Sequence, residues 1–444
     1  MKSSKGLMTA FVLFSSLFLL MGVPQGLAFE ILKGDMSNYD PGNPAFPTSG
    51  DTIKVGVYWM FSGPAAINGH IAWSTIGFPV HDINSQGGIM VDGKMKKIQL
   101  FKGDNQGDPN AGKRAMEKLY LEDKVDFVIG CTGTHLQLVA QQVAGKYKKI
   151  YLNVAALSDL LMDGKNFNRY TFRAAVTTDV LGMALAYYFK NRPEKKFYIL
   201  CQDYAYGRAY ADGFKKGFKE YLPGRQIVGE DYHPLNIKDF APYLTKAQGS
   251  GAEVIVTADY APDAGNLLKS KAQMGVKAIM GGNLFWEISG LQALGGPGGV
   301  GNVAVSEWMI RKDNPIGYKY FQTWTKQWKT WKEPYNATVQ RYSTSTIAIE
   351  SISSYWFFDV VQRAKSTDPE KIIKVFEGDK WSGFGPTVEM RTCDHTMVQD
   401  LYGSELVFPN SYWDNAAFLK DNPDVIPAKY ATAPIPTDLA RCKK

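Results

Sequence analysis

Most of this chain repeats one pattern: a short apolar run, a turn of glycine and small hydroxylated residues, then a stretch with apolar residues at helical spacing. A parallel sheet with helices on both faces satisfies such an alternation. A clear instance is Asp126-Phe127-Val128-Ile129-Gly130-Cys131-Thr132-Gly133-Thr134, where a strand over 125–129 breaks at a glycine. The helix after it puts Leu136, Val139, Ala140 and Val143 on one face. Such a strand-to-helix turn leaves several backbone N–H groups unpaired and pointing outward. Ligands of open α/β sheets bind beyond the carboxyl ends of the strands, so this turn is a candidate contact. The plainer reading is a cap, with Thr132 or Thr134 closing the helix start.

Two series of this pattern follow one another. The first has strands at Ile53–Trp59, 98–101, 125–129 and Ile150–Asn153. Pro64 is placed to enter its first helix and Pro79 to kink it, and Asp108-Pro109 opens another helix that runs through Leu121. The second series alternates a helix over 177–191, a strand over 196–201, a helix to Tyr221 and a strand over 226–230. It continues with a helix over 238–248, strands over 253–257 and 277–280, and a helix over 263–274 between them. No long flexible linker separates the series. Helices near 317–331 and 344–364 come next, and a tail of strands and turns runs from Trp381. At 444 residues the chain is too long for one ordinary core. The fold class is α/β, with two doubly wound units in tandem.

Composition removes several classes. With 45% hydrophobic and 21% charged residues the chain is globular rather than disordered. Its formal charge of +7 is mild, and the lysines are dispersed, which argues against nucleic-acid binding. Residues 1–28 read as a secretory signal peptide: Lys2 and Lys5, an apolar stretch over 8–21, then Gly26-Leu27-Ala28 before Phe29. That stretch is short for a membrane span and is broken by Pro24. A soluble, exported protein is expected, without a lipid anchor, because no cysteine lies near the cleavage point. The four cysteines Cys131, Cys201, Cys393 and Cys442 allow three full pairings, and the sequence does not choose among them. Cys393 and Cys442 share the loop-rich C-terminal part, where a staple is the more natural bridge; Cys131 and Cys201 end buried strands.

Ser62-Gly63-Pro64, Ile83-Asn84-Ser85-Gln86-Gly87-Gly88-Ile89, Gly103-Asp104-Asn105-Gln106-Gly107-Asp108-Pro109, Asp203-Tyr204-Ala205-Tyr206-Gly207, Asp239-Phe240 and Ala272-Gln273-Met274-Gly275 occur in that order. This ordered set resembles the periplasmic branched-chain amino-acid-binding proteins of ABC importers, the Leu/Ile/Val-binding, type I class. The resemblance runs from about Thr52 to Val407, and Arg391-Thr392-Cys393-Asp394-His395 is similar to a subset of the family. It implies two doubly wound parallel-sheet lobes joined by a three-strand hinge. Residues 29–173 and 306–382 would form lobe I; residues 174–305 and 383–444, with the tail, would form lobe II. It further implies a monomer in the periplasm that captures a small carboxylate or amino acid by hinge closure. The partner would be an ABC permease of the inner membrane, with no cofactor and no catalysis.

By the same resemblance Ser62, Thr132, Thr134, Ala155, Ala156 and Ser158 line lobe I, and Tyr206, Asp259, Tyr260 and Asn283 line lobe II. Free N–H groups and the positive end of the helix near His135 suit an anion. Two positions depart from the amino-acid binders. Asn283 stands where an acidic residue usually holds the ligand ammonium, and Ala156 replaces a hydroxyl. Asn68 also replaces an expected aromatic residue, and Asp203 or Asp259 is left to supply a carboxylate. Trp59, Trp73, Tyr260, Phe285 and Trp286 gather near the expected cleft, which favours a flat or apolar ligand body. The expectation is therefore a small carboxylate with an apolar, even aromatic, body. A receptor or regulator of the same fold, binding an amide, urea or aromatic acid, is one alternative; a periplasmic enzyme is another. No Gly-x-Ser-x-Gly or His-Glu-x-x-His occurs, and His70, His81, His135, His233 and His395 show no metal-ligand spacing. Gly296-Pro297-Gly298-Gly299-Val300-Gly301 precedes a strand instead of following one, so it reads as a loop and not a dinucleotide site.

Overall fold

The computed structural model describes residues 29–443 except 64, 261, 284–290, 292–293, 340, 342–344 and 386, and leaves out the side chains of 345–347. The expected signal peptide, Pro64, Phe285 and Trp286 lie outside the described residues.

The first sheet contains β1 (Ile53–Trp59), β4 (Ile98–Asp104), β5 (Phe127–Gly130), β6 (Ile150–Asn153) and β7 (Thr171–Arg173). Its order is β4-β1-β5-β6-β7, every pair parallel. β5 and β6 are buried at every residue. Helices cover both faces, which is why these strands read as continuous apolar runs with no alternation. Three helices of this layer are α1 (Ala66–Ser85), α2 (Pro109–Leu121) and α3 (Thr134–Tyr147). Asp108 starts α2 by accepting from the Ala111 N–H at 2.7 Å, with Pro109 in the first turn. α1 is buried from Ala72 to Asn84 and keeps Pro79 inside it. It packs on the helix Ser345–Ala364, where Ser351 Oγ donates to the Thr75 carbonyl at 2.7 Å and Tyr355 OH to Asp82 at 2.7 Å. Between α1 and β4 sits a hairpin absent from the sequence reading, β2 (Ile89–Val91) with β3 (Lys94–Lys96). Its Asp92-Gly93 turn has φ of 50° and 76°, the left-handed pair that a two-residue hairpin needs.

The second sheet repeats the plan. It contains β8 (Lys196–Gln202), β9 (Gln226–His233), β10 (Val254–Thr257), β11 (Ile279–Gly282) and β12 (Val303–Ser306), in the parallel order β9-β8-β10-β11-β12. The helices α4 (Thr178–Phe189), α5 (Ala205–Tyr221), α6 (Ala241–Gly249) and α7 (Asp263–Gln273) alternate with its strands. α4 and α5 touch through glycine: a Cβ at Gly182 would lie 2.2 Å from the Tyr210 carbonyl, and one at Gly213 2.0 Å from that of Asp179. The tail adds strands. In a small sheet β13 (Lys380–Trp381) pairs with β14 (Val388–Met390), and β14 with β15 (Met397–Val398). The boundary expected between 382 and 383 falls inside this sheet. β16 (Leu401–Val407) then joins β12 antiparallel, and β17 (Phe418–Leu419) and β18 (Asp424–Ile426) pair with β16. The second sheet is thus parallel through β12 and antiparallel beyond it.

The chain passes between the two sheets three times: after β7, after β12, and between β15 and β16. On the second passage Glu307 is 5% exposed, and its Oε2 has no partner among the described residues. Gln399, on the third passage, donates to the Glu307 carbonyl at 2.9 Å. Glu307, Trp308, Gln399 and Asp400 border a cavity of about 20 Å³, room for one water. Burial pushes the Glu307 carboxyl up to about 8. After β18 the tail turns back. Tyr430 stacks on Tyr187 of α4 at 4.4 Å and accepts from Tyr221 OH at 2.8 Å; Asp438 then accepts from the Gly164 N–H at 2.9 Å. Of the three possible cysteine pairings the bridge formed is Cys393–Cys442, and Cys131 and Cys201 are buried thiols.

Candidate functional site

Both sheets have the same strand order, so both reverse direction of winding at one place: between β1 and β5 in the first, between β8 and β10 in the second. In open α/β sheets ligands bind at such switch points, beyond the carboxyl ends of the strands. Ser62 follows β1, Thr132 and Thr134 follow β5, Tyr206 follows β8, and Asp259 and Tyr260 follow β10. The expected site residues therefore occupy the two switch points, with Ala155, Ala156 and Ser158 after the neighbouring β6 and Asn283 after β11.

At the first switch point the cap of α3 is Gly133 itself, with φ of 87° and no side chain accepting from the first turn. This corrects the reading of Thr132 or Thr134 as the cap. The Gly133 carbonyl takes the Leu136 and Gln137 N–H groups at 3.1 and 3.0 Å. The amides just before them have no acceptor among the described residues, and both threonines are half-buried beside them. The Ser62 hydroxyl donates to Asp104 at 2.6 Å. Burial tends to raise Asp104, but this bond and three backbone N–H groups hold it below the ordinary carboxylate range. Under the turn, Gln137 Oε1 accepts from Tyr151 OH at 2.7 Å, which anchors α3 to β6.

The turn after β6 is built differently. Asn153 Oδ1 accepts from the Ala155 and Ala156 N–H groups at 3.1 and 2.8 Å, and Asn153 Nδ2 donates to the Ala156 carbonyl at 2.8 Å. The amides of Ala155 and Ala156 are thus spent internally, and the turn offers methyl groups and the Ser158 hydroxyl. Its end is held by Arg173, whose Nη1 donates to the Ser158 carbonyl at 2.7 Å.

In the second layer Asn283 is 3% exposed, and its Nδ2 donates to Tyr206 OH at 2.6 Å. Tyr206 stacks near Tyr204 with ring centres 6.0 Å apart. Tyr260 is 37% exposed. Asp259 is fully buried, and its Oδ2 meets His233 Nε2 at 2.9 Å. His233 Nδ1 faces the Pro234 carbonyl at 2.9 Å, so that nitrogen carries a hydrogen, and a second proton lies between Nε2 and the carboxyl. Burial raises the Asp259 carboxyl against the pull of His233. Asp203, the other candidate carboxylate, is half-exposed and bonded to Arg208 at 2.8 Å. Asp259 Oδ2 is thus engaged, while its Oδ1 is buried with no partner among the described residues.

Two of the aromatics expected at the cleft lie elsewhere. Trp59 is 1% exposed, because its position in β1 turns it into the core. Trp73 is sealed by the chain before β1, packing on Phe46 and donating from Nε1 to the Pro41 carbonyl at 3.2 Å. Asn153, Arg173 and His233 did not emerge from the sequence. A signal existed for Asn153, an asparagine closing a strand before two alanines, since asparagine bonds the backbone two residues on. None existed for His233, 26 residues from its partner. Among the described residues no three His, Cys, Asp or Glu side chains group to hold a metal ion, and no helix is long and apolar enough to cross a membrane.

Comparison with known proteins agrees with this geometry. The profile of a family described as periplasmic binding protein matches residues 52–409. Leu/Ile/Val-binding protein homolog 3 of Brucella melitensis is 28% identical over 251 residues, 55% of this chain. That stretch is 66% of the relative, just under two thirds of its length. Among solved structures, the leucine-, isoleucine-, valine-, threonine- and alanine-binding protein of Brucella ovis in its closed conformation superposes with a TM-score of 0.74. It is 18% identical, and the match covers 88% of this chain and 98% of that one. A solute-binding protein of an ABC transporter from Rhodopseudomonas palustris, in complex with 3,4-dihydroxybenzoic acid, has a TM-score of 0.70 at 20% identity. That match covers 85% of this chain and 98% of the other. At these identities the two solved structures establish the fold.

Proposed function

The chain belongs to the periplasmic binding protein family, and from that premise we propose that it is the exported binding component of an ABC importer. It captures a small carboxylate with an apolar body and passes it to a permease in the inner membrane. The uncapped first turn of α3 at a switch point carries the reading: its free amides and the Thr132 and Thr134 hydroxyls suit a carboxylate. Ser62 and Ser158 complete the polar side, and Tyr206, Tyr260 and Asn283 face it from the second layer. Asn283 and Ala156, in place of the acid and the hydroxyl expected of the amino-acid binders, favour an acid without an ammonium group over an amino acid. The benzoate ligand of the Rhodopseudomonas protein and the amino acids in the Brucella names mark the two ends of the ligand range to test.

Ligand bridges the two switch points and stabilises the closed arrangement by its differential affinity. The protein acts as a monomer and does no chemistry on its ligand. Isothermal titration of the purified protein against benzoates, branched aliphatic acids, leucine, amides and urea tests the reading. Tight leucine binding with no acid binding would sink the ligand class, and turnover of any bound compound would sink the binding role.

A further inference from the structure

Glu307 and Trp308 follow β12 on the second passage between the sheets, and each is 5% exposed. Glu307 Oε2 and Trp308 Nε1 are both buried without a partner among the described residues. Both residues border the same cavity of about 20 Å³, which Gln399 and Asp400 of the third passage also line. Ile349 and Phe384 are among its apolar walls. The other polar groups there are engaged: Gln399 Nε2 donates to the Glu307 carbonyl at 2.9 Å, and Asp400 Oδ1 accepts from the Ala428 N–H at 2.8 Å. A buried donor and a buried acceptor, each left unmade, are costly. A single water needs about 10–15 Å³ and two or more polar partners, and this cavity supplies both.

We propose that this cavity is a binding site for one structural water, which bridges the Trp308 indole and the Glu307 carboxyl. The water accepts the hydrogen of Trp308 Nε1 and donates one of its own to Glu307 Oε2. A carboxyl keeps an oxygen able to accept whether it is charged or neutral, so the bridge does not depend on the Glu307 proton. Gln399 already bonds the Glu307 carbonyl, so the water stands where the second and third passages meet and completes that joint from the side-chain end. The inference concerns the passages alone and holds whatever ligand the protein takes.

The test is a double-mutant cycle read by urea unfolding, with the wild type, Trp308→Phe, Glu307→Met and the double variant. The smaller ring of phenylalanine opens the same space in both backgrounds, so that loss cancels in the comparison. Trp308→Phe should raise the unfolding constant about tenfold more in the wild-type background than beside Glu307→Met, the worth of about one hydrogen bond. An equal effect in the two backgrounds overturns the proposal, since the two groups would then share no partner. A Trp308→Phe variant more stable than the wild type overturns it as well, because relief of an unmade N–H is what an empty cavity would give. A high-resolution crystal structure of the wild type covers the case that a variant fails to fold. It should show one water within about 3 Å of both Trp308 Nε1 and Glu307 Oε2. A dry cavity there, or a water bonded to one of the two atoms alone, overturns the proposal.

Discussion

Glu307 gives a test of the passage between the sheets that needs no ligand. Its carboxyl titrates near 4.5 in the unfolded chain and near 8 in the fold, because burial penalises the anion. Between those values the unfolded chain has already released the proton and the folded chain has not. Stability therefore drops as pH rises from about 4.5 to about 8, and is fully present only below that window. At 1.36 kcal/mol per pH unit the loss reaches at most about 5 kcal/mol. Water entering the 20 Å³ cavity would reduce it. Glu307→Gln has nearly the same volume and no proton to lose, so its stability should lack this slope. Urea unfolding of both proteins from pH 5 to 9 is the assay, and the difference profile removes the other titrating groups. We expect the variant to gain on the wild type by about 2 kcal/mol or more at pH 8.5. Parallel profiles across the range would refute the argument, since they would mean that Glu307 ionises as easily in the fold as outside it.

Three further outcomes follow from the packing. Changing Thr132 and Thr134 together to Val should weaken acid ligands by about tenfold across the series, from two lost hydroxyl bonds of roughly 0.5–1.5 kcal/mol each; unchanged titration curves would return the turn to plain architecture. Cys393→Ser should lower unfolding stability by about 4 kcal/mol on loop closure alone, for a bridge spanning 49 residues, as read by denaturant midpoints. Gly182→Ala should cost more than about 2 kcal/mol, because its Cβ would meet the Tyr210 carbonyl and backbone cannot move aside as a side chain does. A thermal midpoint equal to that of wild type would show that α4 and α5 can separate freely.

Local chemistry made much of the fold readable. β1 and β6 begin and end where their apolar runs do, and α2 starts at Asp108-Pro109 because capping is a matter of four adjacent residues. The hairpin Ile89–Val91 with Lys94–Lys96 was passed over although Asp92-Gly93 advertised it. The short strands β13 to β15 carried no pattern long enough to see. In the site, the loops were legible because the βα alternation locates the carboxyl ends of the strands, where ligands of a parallel sheet bind. What lay hidden were partners brought in from afar: His233 on Asp259, Tyr206 on Asn283 across 77 residues, and Thr396 on Arg173 across 223. Asp259 came from the family resemblance, and its buried contact with His233 arose only when β9 was laid beside β8. Trp59 and Trp73 were misplaced for a related reason, since periodicity does not say which face of a strand or helix another segment will cover.

The returning tail adds a fourth tie between the two layers. It is held to α4 and α5 at Tyr430, to the first layer at Asp438, and locked by Cys442. Eight residue steps lead from Tyr430 to Asp438, a reach of about 26–29 Å when fully drawn out. Pro434 and Pro436 stiffen that stretch towards an extended form. The tail is therefore a leash. Parting the switch points would draw on this segment, with one exposed hydrogen bond at Asp438 yielding first and the Cys393–Cys442 bridge holding beyond it. How far the two layers can separate is then a matter of this returning stretch as well as of the three passages.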